Sequence, residues 1–263
     1  MIGIYGGNTK PAEFSEFSAN TISEIKEMTD VGLSSVKPNK CIAFRLVSVI
    51  CDSPARSVLD PMHIVYLGVT KELANLWIDL AQRRLLNLNS CAFRDINNLI
   101  SGCVASTPSD YLRKCRTLDF VSAWKASECR LFLPYIGPVI LQKTLPQPLY
   151  INFRRLSLSI YLLAHPKLHN TVVESAKTDL QNFVKEYEWC YGSENLVYNM
   201  HSLQHLPDYV RTHGPLDSFS AFPFESYMRQ IKDSVHSGFA VAKQAAQRYA
   251  EKKSFCDRSQ RSC

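Results

Sequence analysis

The feature that most constrains the fold is the helical spacing of apolar residues in almost every segment after Asp60. Apolar residues recur every three or four positions, as in helices that bury one face, and prolines such as Pro134, Pro146 and Pro166 separate the segments. This spacing predicts a large, mostly α-helical region. We expect its helices over about 61–86, 90–102, 123–133, 138–144, 148–164, 170–191, 194–211, 224–235 and 239–252.

The first sixty residues have a different pattern. Residues 2–5 form a short apolar run, residues 12–28 carry helical spacing, and residues 41–51 form a longer apolar run rich in β-branched side chains. This order predicts a β-α-β start, in which parallel pairing of the two strands is an assumption. We therefore expect an α/β start at 1–59, a helical region at 60–253 and a flexible tail at 254–263.

Composition narrows the class of protein. Of the 263 residues, 46% are hydrophobic, which is enough for a folded core, and the net charge of +6 would suit an anionic partner. The nine cysteines include no Cys-x-x-Cys pair and indicate neither a zinc ribbon nor a disulfide framework. We see neither a secretory leader nor a membrane-spanning run, and we expect a soluble protein of the nucleus or cytoplasm.

Two acidic residues follow the run at 41–51. Asp52 comes where that predicted strand ends, a place where ligand-binding residues tend to lie in open α/β sheets; alternatively, it caps a turn. Asp60 and Pro61 have the order of a helix N-cap followed by proline at the first helical position. His63 is then expected in the first turn, either as a packing residue facing Leu67 or as a functional one.

Other candidates lie farther along the chain. His201 and His205 stand four apart on a predicted helix, which suits a metal, but no third ligand accompanies them, and we prefer a half-buried helix whose histidines bond to neighbouring segments. Glu128 and Glu225 each lie early in a helix, where a carboxylate stabilises the helix dipole. The segment 229–261 holds eight Lys or Arg against three acidic residues, typical either of a DNA-binding surface or of a solvated helix.

Several longer motifs occur together: IGIYGGNTKP, ICDSPARS, DPMHIVYLGVTKEL, WKASECRLFLPYIGPVIL and LVYNMHSLQHLPDYV. In this combination and order the chain, from residue 2 to about 250, resembles transposases of the CACTA (EnSpm-like) type and proteins derived from them. The resemblance implies an RNase H-like nuclease fold, so the α/β start would be a partial RNase H-like sheet. In such enzymes, carboxylates from separate elements hold two divalent metal ions, Mg²⁺ or Mn²⁺, that activate the attacking oxygen and stabilise the leaving one.

The resemblance also implies roles for individual residues. Asp52 matches the second catalytic aspartate and would be a metal ligand. Asp60 and His63 match a D-x-x-H signature. The third catalytic carboxylate, a helical glutamate, would be Glu225 or Glu128, and the resemblance does not choose between them.

Two departures from the family pattern bear on activity. The chain begins at the strand that the family places after its first aspartate, and only three residues separate Arg56 from Asp60, where the family has a zinc insertion. We therefore expect a transposon-derived protein that is catalytically incompetent in this form, without zinc. The alternatives are a non-catalytic DNA-binding or protein-interaction protein on the same scaffold, and an enzyme completed by an upstream segment or another chain. The expected partners are DNA and a second copy of the chain or a full-length transposase, with no membrane and no small-molecule substrate.

Overall fold

Helices make up most of the structure, a computed structural model that describes residues 23, 33–34, 41–42, 50–51, 58–83, 90–111, 113–236 and 241–261. Its α-helices are α1 (Lys71–Gln82), α2 (Ser90–Cys103), α3 (Ala126–Leu131), α4 (Gly137–Ile140), α5 (Gln147–Ala164), α6 (His169–Tyr191), α7 (Tyr198–Ser202), α8 (Leu206–His213), α9 (Phe222–Asp233) and α10 (Val241–Arg261). π-helices span Met62–Thr70 and Phe132–Ile136. Turns of 3-10 helix span Leu118–Ala123, Leu141–Lys143, Ser193–Asn195, Leu203–His205 and Leu216–Phe219.

The prediction of a large helical region is confirmed. Every segment with helical spacing is helical in the described residues, although prolines and glycines divide several of them into successive α, π and 3-10 turns. The last helix, α10, continues to Arg261 and so extends beyond its predicted end at residue 252.

Extended pairing in the described residues is limited to four two-residue strands: β1 (Leu33–Ser34), β2 (Cys41–Ile42), β3 (Ile50–Cys51) and β4 (Val58–Leu59). β1 pairs antiparallel with β2, and β3 pairs parallel with β4. The predicted α/β start with a partial RNase H-like sheet is therefore wrong for this part of the chain. Instead of forming one strand of a sheet, the two ends of the run at 41–51 pair with different segments.

The predicted sheet was wrong because a short run of apolar residues indicates burial but does not determine which segment the strand pairs with. The predicted strand at 2–5 lies outside the described residues, as does the predicted helix at 12–28 apart from Ser23, which is helical.

Contacts divide the chain into two compact units, Ile50–Phe222 and a second that combines Met1–Val49 with Pro223–Cys263. In the first unit, α5 and α6 pack against each other over most of their length. Arg155 of α5 bonds to Asp179 and Glu186 of α6, and Asn152 bonds to the Phe183 carbonyl. Since positions early in α5 meet positions late in α6, the two helices run antiparallel.

Large aromatic side chains fill the core of the Ile50–Phe222 unit. Trp77, Trp124, Phe132 and Phe153 are all at most 1% exposed. Phe153 packs edge-on against Trp77, and the Trp77 indole donates a 2.9 Å hydrogen bond to the Tyr191 hydroxyl. A buried ring system of this size supplies much of the apolar area that stabilises a helical unit.

The π-helix at Met62–Thr70 brings the start of the helical region close to α7. The Thr70 hydroxyl donates a 2.8 Å hydrogen bond to the Val65 carbonyl five residues earlier, a partner within the widened turns. A side chain at Gly68 would place its Cβ 2.6 Å from the Asn199 amide nitrogen, so glycine permits this approach.

The second unit contains α9 and α10 in its described part. The Lys252 ammonium donates a 2.9 Å hydrogen bond to the Gln230 side chain and so links these two helices. Among the described helices of either unit, none has both the length and the apolar character needed to cross a bilayer.

Candidate functional site

Asp60 caps the helix that follows it, as its position before Pro61 predicts. One carboxylate oxygen, Oδ1, accepts a 3.1 Å hydrogen bond from the Met62 amide, while the Asp60 carbonyl accepts the first helical bond from Ile64. The same Oδ1 accepts a 2.8 Å bond from the amide of Ala221, which is 161 residues away. Asp60 is 2% exposed, so this carboxylate joins the two ends of the Ile50–Phe222 unit inside its core.

His63 completes the junction, because its Nδ1 bonds to the second carboxylate oxygen of Asp60, Oδ2. The structure thus brings both residues of the D-x-x-H signature together. Their contacts fix one ring orientation and one helix start.

Glu128 is the most completely engaged acidic side chain of the candidates. Its two oxygens accept hydrogen bonds of 2.7 Å each from the Nε and an Nη atom of Arg116, and Oε2 also accepts the Lys125 amide at 2.8 Å. Glu128 is the third residue of α3, and its bond to Lys125 is the carboxylate half of a capping box. The predicted role as an N-terminal helix carboxylate is confirmed for this residue.

The charge state of Glu128 follows from these contacts. Burial acts to raise the pKa of this carboxyl, but the Arg116 hydrogen bonds, the Lys125 amide and the Arg116 charge outweigh burial and hold the pKa below its ordinary value. Glu128 is therefore ionised and saturated with donors at neutral pH.

Three of the remaining predicted site residues, Glu225, His201 and His205, lie within the described residues. Glu225 is exposed in the first turn of α9 and belongs to the second unit, while Asp52 lies outside the described residues. His201 and His205 have their rings 5.4 Å apart and are both exposed. His201 bonds to Gln204 on its own turn, so the predicted bonding of this histidine to a neighbouring segment is wrong.

Within the described ranges, no group of three or more His, Cys, Asp or Glu side chains is arranged to hold a metal ion.

A pocket of about 210 Å³ lies elsewhere in the same unit, between the two π-helices, α3 and the end of α5. Its lining includes Tyr66, Arg130, Tyr135, Tyr161, His165 and Asp217. The rings of Tyr135 and Tyr161 stand 6.2 Å apart at an angle of 89°, and form two perpendicular walls. These two residues are 48% and 39% exposed, so the walls are open to solvent.

An ion pair forms the polar part of the pocket. Arg130 donates a 2.6 Å hydrogen bond to Asp217 Oδ2, and its guanidinium lies 5.1 Å from the centre of the Phe222 ring. Near this pair, burial raises the pKa of Tyr66 and so keeps its hydroxyl protonated. Burial and a hydrogen bond to Tyr135 raise the pKa of Tyr111 to about 12, so this hydroxyl also remains protonated at neutral pH.

His165 lies where α5 ends; its ring bonds to the turn that follows and also lines the pocket. Its Nδ1 accepts hydrogen bonds from the amides of Lys167, at 3.1 Å, and Leu168, at 3.3 Å. Because Nδ1 accepts, Nε2 carries the ring proton and is a donor. The turn between α5 and α6 thus holds this ring against Tyr161, with the ring centres 6.2 Å apart.

Sequence reasoning missed this pocket because its residues come from four separate segments. Tyr66, Tyr135 and Tyr161 belong to three different helical segments, and the spacing within each segment does not show that they meet. One local signal was present: Tyr161 and His165 are four residues apart, which puts both on one face of a helix. The other walls depend on tertiary packing.

Basic side chains accumulate on the helices of the second unit. Arg229 pairs with Asp233, and Arg248 pairs with Glu251, so these charges are partly neutralised. Lys232 and Lys243 are exposed, and no ion pair to either is seen within the described ranges. The two lysines could contact phosphate groups without first breaking a salt bridge.

Comparison of the chain with protein families, with curated proteins and with solved structures found no match.

Proposed function

We propose that this chain is a transposase-derived protein that binds nucleic acid and does not cleave it. The transposase origin rests on the ordered motifs of the sequence, including DPMH at residues 60–63. One observation supports the lack of cleavage: Arg116 and the Lys125 amide engage both oxygens of the Glu128 carboxylate, which leaves Glu225 as the other candidate for the helical carboxylate.

A catalytic carboxylate must present an oxygen to a metal ion, and both oxygens of Glu128 already accept hydrogen bonds. It is 1% exposed, and three donors lie within 2.8 Å of its oxygens. Metal binding there would displace the guanidinium and remove the helix cap.

Nucleic-acid binding is supported by charge. The chain carries a net charge of +6, and the helices α9 and α10 hold most of the basic segment 229–261. Lysines that are exposed and outside ion pairs, such as Lys232 and Lys243, release counterions from phosphates when they bind. Binding of this kind depends on the phosphate backbone rather than on base sequence.

The first experiment is a nicking and strand-transfer assay on supercoiled DNA with Mg²⁺ or Mn²⁺. We expect no cleavage by the folded wild-type protein or by Asp52→Ala. Metal-dependent cleavage that Asp52→Ala abolishes would overturn the proposal. In that case Asp52 would be a metal ligand, and Glu225 would be the remaining candidate for the helical carboxylate.

The second experiment measures binding to a labelled duplex by fluorescence anisotropy at several salt concentrations. We expect the association constant to fall as salt rises, with a slope of about 0.9 per phosphate contact on logarithmic axes. Replacing Lys232 and Lys243 together by alanine should lower the slope by about 2, whereas Lys185→Ala, an exposed lysine of α6, is the matched control. Absence of binding at low salt by folded protein would contradict the proposal.

A protein-interaction role is the second candidate, and one surface favours it. Trp189, near the end of α6, is 78% exposed, and Val197 and Tyr198 shortly after it are 43% and 55% exposed. Exposed aromatic residues of this kind are enriched at protein interfaces. A second copy of the chain is the simplest partner to test: sedimentation velocity should show a dimer that Trp189→Ser dissociates, and a concentration-independent monomer would contradict this role.

A further inference from the structure

We propose that the pocket formed by Tyr66, Arg130, Tyr135, Tyr161, His165 and Asp217 binds a single nucleobase. The base would belong either to an unpaired strand, in which case the inference rests on the proposed nucleic-acid binding, or to a free nucleotide. Three properties of the pocket carry this inference: its size, its balance of charge, and its unpaired polar groups.

Size limits the occupant to one ring system. The pocket volume of about 210 Å³ is below the roughly 300–1,000 Å³ of pockets that enclose a whole drug-sized ligand. Tyr135 and Tyr161 provide two flat walls at right angles, 6.2 Å apart between ring centres. A planar ring can stack on one wall while its edge meets the face of the other, and these are the two favoured arrangements of aromatic rings.

The charge of the pocket favours a neutral occupant. Arg130 and Asp217 neutralise each other across a 2.6 Å hydrogen bond. A cation placed against the tyrosine rings would also lie near the guanidinium of Arg130, and an anion would lie near the carboxylate of Asp217. A nucleobase is neutral and carries both donors and acceptors on its edge, so it can use Asp217 as an acceptor and Arg130 as a donor.

The Tyr66 hydroxyl adds a polar group to the pocket. Tyr66 is 2% exposed, lines the pocket, and is close enough to Arg130 and Asp217 for their charges to act on its pKa. Its hydroxyl bonds to none of the described residues and is not fully enclosed, so it is available to a ligand. With His165, whose Nε2 carries the ring proton, it offers polar groups to the edge of a base.

Exposed cations lie near the pocket residues in sequence. Arg154 precedes Tyr161 on the same face of α5 by two helical turns, and Lys167 follows His165 by two residues. Both are exposed, and neither makes an ion pair among the described residues. A base in the pocket would therefore have positive groups available for the adjoining phosphates, the combination of stacking and charge by which proteins hold single strands.

The experiment compares three probes by anisotropy or calorimetry: a short single-stranded oligonucleotide, an abasic oligonucleotide with the same number of phosphates, and deoxyadenosine monophosphate. We expect the oligonucleotide with bases to bind roughly 5- to 100-fold more tightly than the abasic one. Tyr161→Ala should remove this difference, Tyr161→Phe should retain it, and Phe120→Ala, which removes an exposed ring that does not line the pocket, should leave it unchanged.

Tyr66→Phe tests the buried hydroxyl without removing the ring. It should weaken base-dependent binding several-fold while leaving thermal unfolding near that of the wild type, which excludes misfolding as the cause. Saturable binding of the mononucleotide that Tyr161→Ala removes would identify a free nucleotide as a ligand. Base-dependent binding of the oligonucleotide alone would identify an unpaired strand.

The outcomes separate this inference from the proposed function. Equal binding of the normal and abasic oligonucleotides, with no binding of the mononucleotide, would overturn the nucleobase site and leave the phosphate-dependent function standing. Mononucleotide binding at Tyr161 without any binding of DNA would support the pocket and refute the proposed function.

Discussion

The Asp60 junction makes a sharp prediction about stability. Asp60→Ala removes the acceptor of the Met62 amide, which is worth about 1 kcal/mol as a helix cap. It also leaves the Ala221 amide without its 2.8 Å acceptor, at a cost of about 1–3 kcal/mol for a donor in a partly buried position. We therefore expect Asp60→Ala to lower the free energy of unfolding by about 2–4 kcal/mol.

Asp60→Asn is the matched control. The asparagine Oδ1 can accept both amides, and its Nδ2 can donate to the His63 ring once that ring is protonated on Nε2. Only the charge is lost, and since charge-assisted hydrogen bonds are about twice as strong as neutral ones, we expect a cost of about 1 kcal/mol. The two variants thus separate the hydrogen-bond acceptor from the negative charge.

Urea denaturation at neutral pH, followed by tryptophan fluorescence, measures both costs. All three tryptophans, Trp77, Trp124 and Trp189, belong to the Ile50–Phe222 unit, so the signal reports the unit that contains the junction. A change below about 0.5 kcal/mol for Asp60→Ala, the range of an ordinary surface substitution, would refute the structural role. Equal destabilisation by alanine and asparagine would show that charge, rather than the acceptor, holds the junction.

Three further predictions concern the packing of the same unit. The pKa of Glu128 is lower in the folded state than its ordinary value of 4.5, so the ionised side chain stabilises the fold above pH 4.5, and this stabilisation is lost as the pH falls through the folded pKa. Glu128→Gln should therefore be most destabilising near neutral pH. Denaturation curves of the variant and the wild type, measured at several pH values, should converge in acid. Ser159→Ala removes a buried hydroxyl that has no hydrogen-bond partner among the described residues, so it should be neutral or stabilising by up to about 1 kcal/mol. Ser157→Ala removes a 2.8 Å hydrogen bond to the Leu133 carbonyl and should destabilise the unit by about 1 kcal/mol. Calorimetric melting compares the two variants. Gly137→Ala would place a Cβ 2.5 Å from the buried Phe153 ring and should cost about 1–3 kcal/mol; urea denaturation indistinguishable from that of the wild type would contradict this close packing.

The helical part of the fold could be predicted because its signals are local. The segment at Gln147–Ala164, for example, has apolar residues at helical spacing, a proline in its first turn and His165-Pro166 at its end. Each of these acts within a few residues of chain. The division of Met62–Gln82 into a π-helix and an α-helix was not predictable, because apolar spacing indicates a helix without distinguishing these two types.

The candidate site was predictable only where one local rule governs a residue. Asp60 as an N-cap and Glu128 in the first turn of a helix follow from their own neighbours, and both roles are observed. The partners Ala221 and Arg116 do not follow, because tertiary contacts supply them. The pocket around Tyr161 could not be predicted for the same reason: its walls come from separate helices, and the sequence does not show which helices contact each other.

The contacts of Asp60 and His63 explain the D-x-x-H signature through folding alone, so the signature by itself does not indicate metal binding. Asp60 caps a helix, binds the Ala221 amide and orients His63, and these contacts account for both of its carboxylate oxygens. The junction therefore accounts for aspartate and histidine at these positions whether or not the chain handles metal. It follows that the signature supports the proposed transposase ancestry through its sequence context, while the question of cleavage depends on Asp52. The assay that compares the wild type with Asp52→Ala tests cleavage while both residues of the Asp60 junction keep their identity.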